Sequence, residues 1–200
     1  MLLLSIALFD GAPGAFFLHS FNNSLNSGSS LNDLASDLVT SDTFNSLYVS
    51  SLSNLEFSQL FIQNITGSEA SIADKIRASN WVNDQLSQGA SRADTMLISA
   101  MLLKNFNPTD NQWGLAQQAL INKIDVAKWY SLDKNLNTSS LLELQAVIGA
   151  VTSDNNSVTQ VTGISQNYQG LNAHLPALQT DISLVAVGAN DVMGYQTDFL

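Results

Sequence analysis

Two nine-residue stretches share one pattern, and that repetition constrains the fold more than any other feature of the chain. Leu25-Asn26-Ser27-Gly28-Ser29-Ser30-Leu31-Asn32-Asp33 and Leu86-Ser87-Gln88-Gly89-Ala90-Ser91-Arg92-Ala93-Asp94 both read Leu-x-x-Gly-x-Ser-x-x-Asp. In each, a helix ends near the Leu, the chain turns through a Gly that tolerates positive φ, and a Ser hydroxyl caps the next helix. Asp at the third helical position closes a capping box and lies favourably against the positive end of the helix dipole. The two turn glycines stand 61 residues apart (89 less 28). Gly28, Ser30, Asp33, Gly89, Ser91 and Asp94 are therefore assigned to turns and caps, and nothing in the pattern is chemically reactive.

The remaining periodicity is helical. Met1 to Phe9 reads as an apolar helix stopped by Gly11 and Pro13. Phe17, Phe21 and Leu25 share a face of a helix from Phe16 to Ser27, and Leu31, Leu34 and Leu38 stripe the next one. A turn at Ser41-Asp42 leads to Phe44, Leu47 and Tyr48. Ser53 and Glu56 make a further capping box, opening a helix that carries Leu55, Leu60, Phe61 and Ile65 to Gly67. Ile72 to Gln88 places Ile72, Ile76, Trp81, Val82 and Leu86 at apolar positions, and Ser91 to Lys104 follows. Thr109 is expected to cap a long helix through Trp113, Leu120 and Ile124 to Tyr130, and Ser140 with Glu143 to open Leu141 to Val151. A further start lies at Thr152 to Val158, and Val185-Ala186-Val187-Gly188 admits a helix or a short strand. The expectation is an all-α fold: two related helix-turn-helix modules, about 1–52 and 53–107, followed by a helical region over 108–200 packed on them.

Composition narrows the partners. Seven Lys and Arg against 17 Asp and Glu give a net charge of −10, so no basic patch is available to a nucleic-acid backbone. Only 12% of residues are charged, so the surface must be largely Ser, Thr, Asn and Gln, which suits glycans or neighbouring subunits. Cysteine is absent, which removes disulfides, thiolate metal sites and cysteine nucleophiles. The apolar start lacks a basic n-region and a clean cleavage site, so it reads as a buried helix and not as a leader. It is also shorter than the roughly 20 residues of a membrane span.

Several segments resemble a helical module of unknown function that recurs in secreted proteobacterial proteins, including RTX-type and S-layer-type proteins. Leu8-Phe9-Asp10-Gly11-Ala12-Pro13 resembles its "LFGRAPD" opening, and the two Leu-x-x-Gly-x-Ser-x-x-Asp turns look like its own. Glu56-Phe57 with Leu60-Phe61-Ile62-Gln63-Asn64-Ile65-Thr66-Gly67 resembles its "EF...LYQNVLGR" segment. Asn122 to Ala127 and Val151 to Val158 are similar to the "NKVEVA...VTSD..SV" stretch that trails such modules. The likeness covers about residues 1–160. It departs at Ala12, where the family carries Arg, and the Gly-Gly-x-Gly-x-Asp calcium repeats of RTX proteins do not occur. The resemblance implies export through a type I secretion channel that reads an uncleaved C-terminus, with Asp198, Phe199 and Leu200 as the signal.

No reactive constellation emerges. His19 and His174 have no His or carboxylate at i+3 or i+4 to make a helical metal pair, and no Gly-x-Ser-x-Gly elbow occurs. Nothing positions an axial haem ligand. Capping accounts for Asp33 and Asp94, while Asp37, Asp42 and Asp154 lie in no EF-hand spacing, which leaves weak surface calcium as the one ion in view. Trp81, Trp113, Trp129 and Tyr130 are assigned to the core by their helical spacing, and the Asn22-Asn23-Ser24 and Asn137-Thr138-Ser139-Ser140 runs to caps and turns. The expected function is non-enzymatic: a secreted, extracellular structural subunit that self-assembles into a surface layer or filament as a homo-oligomer or polymer, in contact with surface polysaccharide. The alternative is a monomeric secreted binding module for glycan, calcium or haem.

Overall fold

The computed structural model describes residues 1–164, and the protein is all-α over that range, with no strand among the described residues. The helices are α1 (Leu2–Phe9), α2 (Ala15–Asn26), α3 (Leu31–Val39), α4 (Asp42–Leu47), α5 (Asn54–Thr66), α6 (Ile72–Ser87), α7 (Arg92–Lys104), α8 (Gly114–Lys128), α9 (Leu141–Gly149) and α10 (Asn155–Ile164). A π-helical turn, Trp129–Asp133, extends α8. Met1–Thr162 form one compact unit. The Val185 to Gly188 segment and Asp198 to Leu200 lie outside the described residues.

α1 is apolar on all sides, and a helix of that kind is stable only when surrounded. Leu4, Ile6, Ala7, Leu8 and Phe9 are buried, and α5, α7 and α8 pack around them. Beside α1 runs a chain of rings. Phe9 meets Phe44 edge-on with centroids 6.5 Å apart, Phe44 lies 4.8 Å from Tyr48, and Tyr48 lies 5.2 Å from Phe57. The Arg92 guanidinium sits 4.4 Å from the centre of the Phe57 ring and donates to the Leu52 carbonyl at 3.0 Å. One core therefore joins α1, the α4–α5 corner and the start of α7.

The repeat is visible in the packing. At the 61-residue offset, α2, α3 and α5 align with α6, α7 and α8, which puts α5 with the first copy and α8 with the second and so departs from the expected division at about residue 52. Buried positions correspond too: Leu18 with Ser79, Phe21 with Val82, Leu34 with Thr95, and Ala35 with Met96. α3 lies against α7, and α5 lies against both α6 and α8.

Two expected boundaries differ. α1 stops at Asp10 and not at Gly11: Asp10 adopts the left-handed conformation (φ 46°), and its N–H donates to the Ile6 carbonyl at 2.9 Å. Asp is among the few non-glycine residues that tolerate this geometry. Thr109 does not cap α8, because its N–H and hydroxyl both turn back to Asn107 Oδ1. The N–H groups ahead of α8 go instead to Asp110 Oδ1, which accepts from Gln112 and Trp113 at 2.8 Å each.

The segment between α1 and α2 is strapped to the far end of the unit. The Ala12 N–H donates to the Leu144 carbonyl at 3.0 Å, and the Ala15 N–H to the Leu136 carbonyl at 2.9 Å. Gln145 Nε2 donates to the Phe9 carbonyl at 2.8 Å, and the buried Ser131 hydroxyl donates to the Pro13 carbonyl at 2.5 Å.

Candidate functional site

The two repeated turns adopt the same local structure. Gly28 (φ 102°) and Gly89 (φ 96°) both occupy the positive-φ position. Behind each, the Ser29 N–H reaches the Ser24 carbonyl and the Ala90 N–H reaches the Gln85 carbonyl, both at 3.1 Å, closing the same C-terminal helix turn in both copies. At Ser30, the Asp33 N–H donates to Oγ at 3.1 Å and the Ser30 N–H donates to Asp33 Oδ2 at 2.8 Å. Ser53 and Glu56 repeat this, at 3.3 Å and 2.8 Å. The Ser30 N–H and hydroxyl hold the Asp33 carboxyl below its ordinary value, and the Ser53 hydroxyl and N–H do the same for Glu56.

The other caps are variations. Ser91 accepts from the Asp94 N–H at 3.0 Å and donates its hydroxyl to Asp94 Oδ2 at 2.7 Å, but the Ser91 N–H does not reach the carboxylate, so the box expected here is half formed, and Asp94 Oδ1 accepts from Asn32 Nδ2 at 3.1 Å. Ser140 accepts from the Glu143 N–H, but Glu143 Oε2 takes the Thr138 hydroxyl at 2.5 Å and the Ser140 N–H goes to Thr138 Oγ1, so the expected reciprocal box is rerouted through Thr138. Ser71 caps α6 by accepting from the Asp74 N–H at 3.1 Å. Its sequence, Ser71-Ile72-Ala73-Asp74, carries the same Ser-x-x-Asp pattern, with the turn glycine, Gly67, four residues ahead of the serine and not two.

A polar cleft that the sequence does not announce opens where α1 ends, between the C-terminal end of α5 and α8. Its volume is about 270 Å³. Lys123 Nζ donates to Asp10 Oδ1 at 2.7 Å, across 113 residues, with the Lys123 side chain only 12% exposed. Burial pushes the Asp10 carboxyl above its ordinary value against the opposing pull of Lys123. Asn64 donates from Nδ2 to the buried Tyr48 hydroxyl at 3.0 Å, and Gln63 Oε1 accepts from Lys75 Nζ at 2.9 Å. Glu69 closes one end, its carboxylate accepting from the Ser153 N–H and hydroxyl. Ile65, Ala119 and Val151 add apolar wall.

A second feature is an apolar surface on the second copy. Of the five apolar positions expected on α6, Val82 and Leu86 are buried, together with Ser79, while Ile72, Ile76 and Trp81 are exposed (69%, 54% and 40%). On α7, Ile98, Met101 and Leu102 stand at i, i+3 and i+4 and are each about half exposed. The corresponding residues of the first copy are Ser20 for Trp81, Asp37 for Ile98, Thr40 for Met101 and Ser41 for Leu102. The repeated fold is thus satisfied by polar residues at these sites. Trp113 and Tyr130 pack against the core as expected, Trp129 is half-buried, and His19 is exposed.

Among the described residues no three His, Asp or Glu side chains converge to hold a metal ion, and no helix is long and apolar enough to cross a membrane. No family model, curated protein or solved structure matches the chain.

Proposed function

We propose that the protein is a non-enzymatic structural subunit that self-associates, as part of an extracellular layer or filament. The observation that carries this reading is the apolar face of α7. Ile98, Met101 and Leu102 are exposed where the first copy carries Asp37, Thr40 and Ser41, so their apolar character serves something other than the core. The partner is a second copy. In a chain of net charge −10, α7 carries no charged residue from Thr95 to Leu103, so two copies meet there with the least repulsion. Secretion through a type I channel belongs to the same proposal and rests on the family resemblance and on Asp198 to Leu200.

Sedimentation velocity and electron microscopy of the full chain, with and without calcium, test the reading. Concentration-dependent oligomers or polymers that disperse in Ile98→Glu/Leu102→Glu are expected. A monomer at high concentration in both conditions overturns it. Export is tested separately: deleting Asp198 to Leu200 should retain the protein in the cell, and unchanged export removes the C-terminal signal.

A second reading, a monomeric module that binds surface glycan, draws its support from the polar cleft beside Lys123.

A further inference from the structure

We propose that the Asp10–Lys123 cleft binds one neutral hydroxylated ring, a single sugar unit. This deepens the second reading, glycan binding at the cleft beside Lys123, and is independent of self-association through α7.

The cleft disfavours charged ligands of either sign. Lys123 stands in it, so a cation meets an ammonium group; Asp10 and Glu69 stand in it, so an anion meets two carboxylates. A zwitterion would have to displace the existing 2.7 Å pair, in which Asp10 and Lys123 already satisfy each other. A neutral ligand avoids all three costs.

The groups left over define its chemistry. Among the described residues, Asp10 Oδ2 and Asn64 Oδ1 accept from no protein donor, and Gln63 Nε2 and the other two Lys123 protons donate to no protein acceptor. The residues that line the cleft therefore carry both unused acceptors and unused donors. A hydroxyl donates and accepts at once, and neighbouring hydroxyls on a ring can engage a carboxylate and an ammonium side by side. The carboxylate and the ammonium are fixed in advance, because Asp10 is locked in the left-handed conformation at the end of α1 and Lys123 is held within α8. Little ordering cost remains for the ligand to offset. At about 270 Å³ the cleft falls just below the range that holds drug-sized molecules, which limits it to one ring, and the Ile65, Ala119 and Val151 wall receives the C–H face of that ring.

The free sugar and the terminal unit of a glycan share this chemistry, and the experiment separates them. Glucose, galactose, mannose and N-acetylglucosamine, each also as its methyl glycoside, are titrated into the isotope-labelled full chain, and the side-chain amide resonances of Gln63 and Asn64 are followed. At least one sugar should give saturable shifts, weakened about fivefold or more by Gln63→Ala. Stronger shifts with the methyl glycoside assign the site to a glycan end, and stronger shifts with the free sugar to a metabolite. Lys123→Met should abolish the response; Gln63→Ala, which loses only the Lys75 contact, keeps the test valid if Lys123→Met fails to fold. Equal shifts with glycerol, stronger shifts with glycine, or no shift with any of the sugars overturns the proposal, whatever the assembly state of the protein.

Discussion

Asn32 Nδ2 donates to Asp94 Oδ1 at 3.1 Å, so the second residue of α3 reads the capping carboxylate of α7, 62 residues along the chain. Each copy of the motif first satisfies its own helix start, and one of the two then lends its spare oxygen to the other. The contact joins the two copies at the motif that defines them. Asn32→Ala and Asp94→Ala, singly and together, should show a coupling of about 0.5–1 kcal/mol in a double-mutant cycle by denaturant unfolding. Strict additivity would mean that the contact contributes nothing.

The glycines make a graded set. A Cβ at Gly28 or Gly89 meets no atom, so Gly28→Ala and Gly89→Ala should each cost about 1 kcal/mol through the positive φ alone, and Asn at either position should cost less. Gly114 has ordinary negative φ at the start of α8, but its Cβ would strike the Pro108 carbonyl. Gly114→Ala should therefore destabilise by about 1–3 kcal/mol although Ala is the better helix former. Thermal unfolding of the three Ala variants checks the order.

The capping carboxylates set a pH dependence. Asp33, Glu56 and Asp110 lie below their ordinary values because N–H and hydroxyl groups donate to them. Their contribution is complete above the ordinary carboxylate range and is lost as pH falls through their lowered values. Asp10 has the opposite sign: raised by burial, it favours the folded state increasingly as pH falls through its raised value. The stability difference between the native chain and Asp33→Asn/Glu56→Gln, measured across pH, isolates the caps. It should be full at neutral pH and vanish in acid; a difference independent of pH would remove the capping charge as its cause.

Trp81 is the tryptophan on the outside. Acrylamide quenching of intrinsic fluorescence should fall more in Trp81→Phe than in Trp113→Phe, and Trp81→Phe should change stability by no more than about 0.5 kcal/mol. Equal quenching in both variants would return Trp81 to the interior.

What the sequence made legible was local. The Ser30–Asp33 and Ser53–Glu56 boxes and the Gly28 and Gly89 turns depend on groups within a few residues of each other, and the all-α class follows from their recurrence. Thr109 was misleading because Asp110, one residue on, is the stronger acceptor, and Glu143 because Thr138 competes for its carboxylate. The inward face of α6 was legible at Val82 and Leu86 but not at Ile72, Ile76 and Trp81, since all five compete on hydrophobicity alone and α6 packs chiefly on α5. The Asp10–Lys123 pair left no trace, because no periodicity links an aspartate at a helix end to a lysine 113 residues later.

The straps between Phe9–Ala15 and Ser131–Gln145 bear on the order in which the molecule is made. α1 leaves the ribosome well before the partners that fix its far end: Ser131, Leu136, Leu144 and Gln145 all follow Phe9 by 122 residues or more (131 less 9). Until they arrive, the end of α1 is not fixed, and the nascent chain carries an incompletely enclosed apolar helix over that interval. At about 5–20 residues per second, this window lasts many seconds, long enough for a holding chaperone to engage that helix.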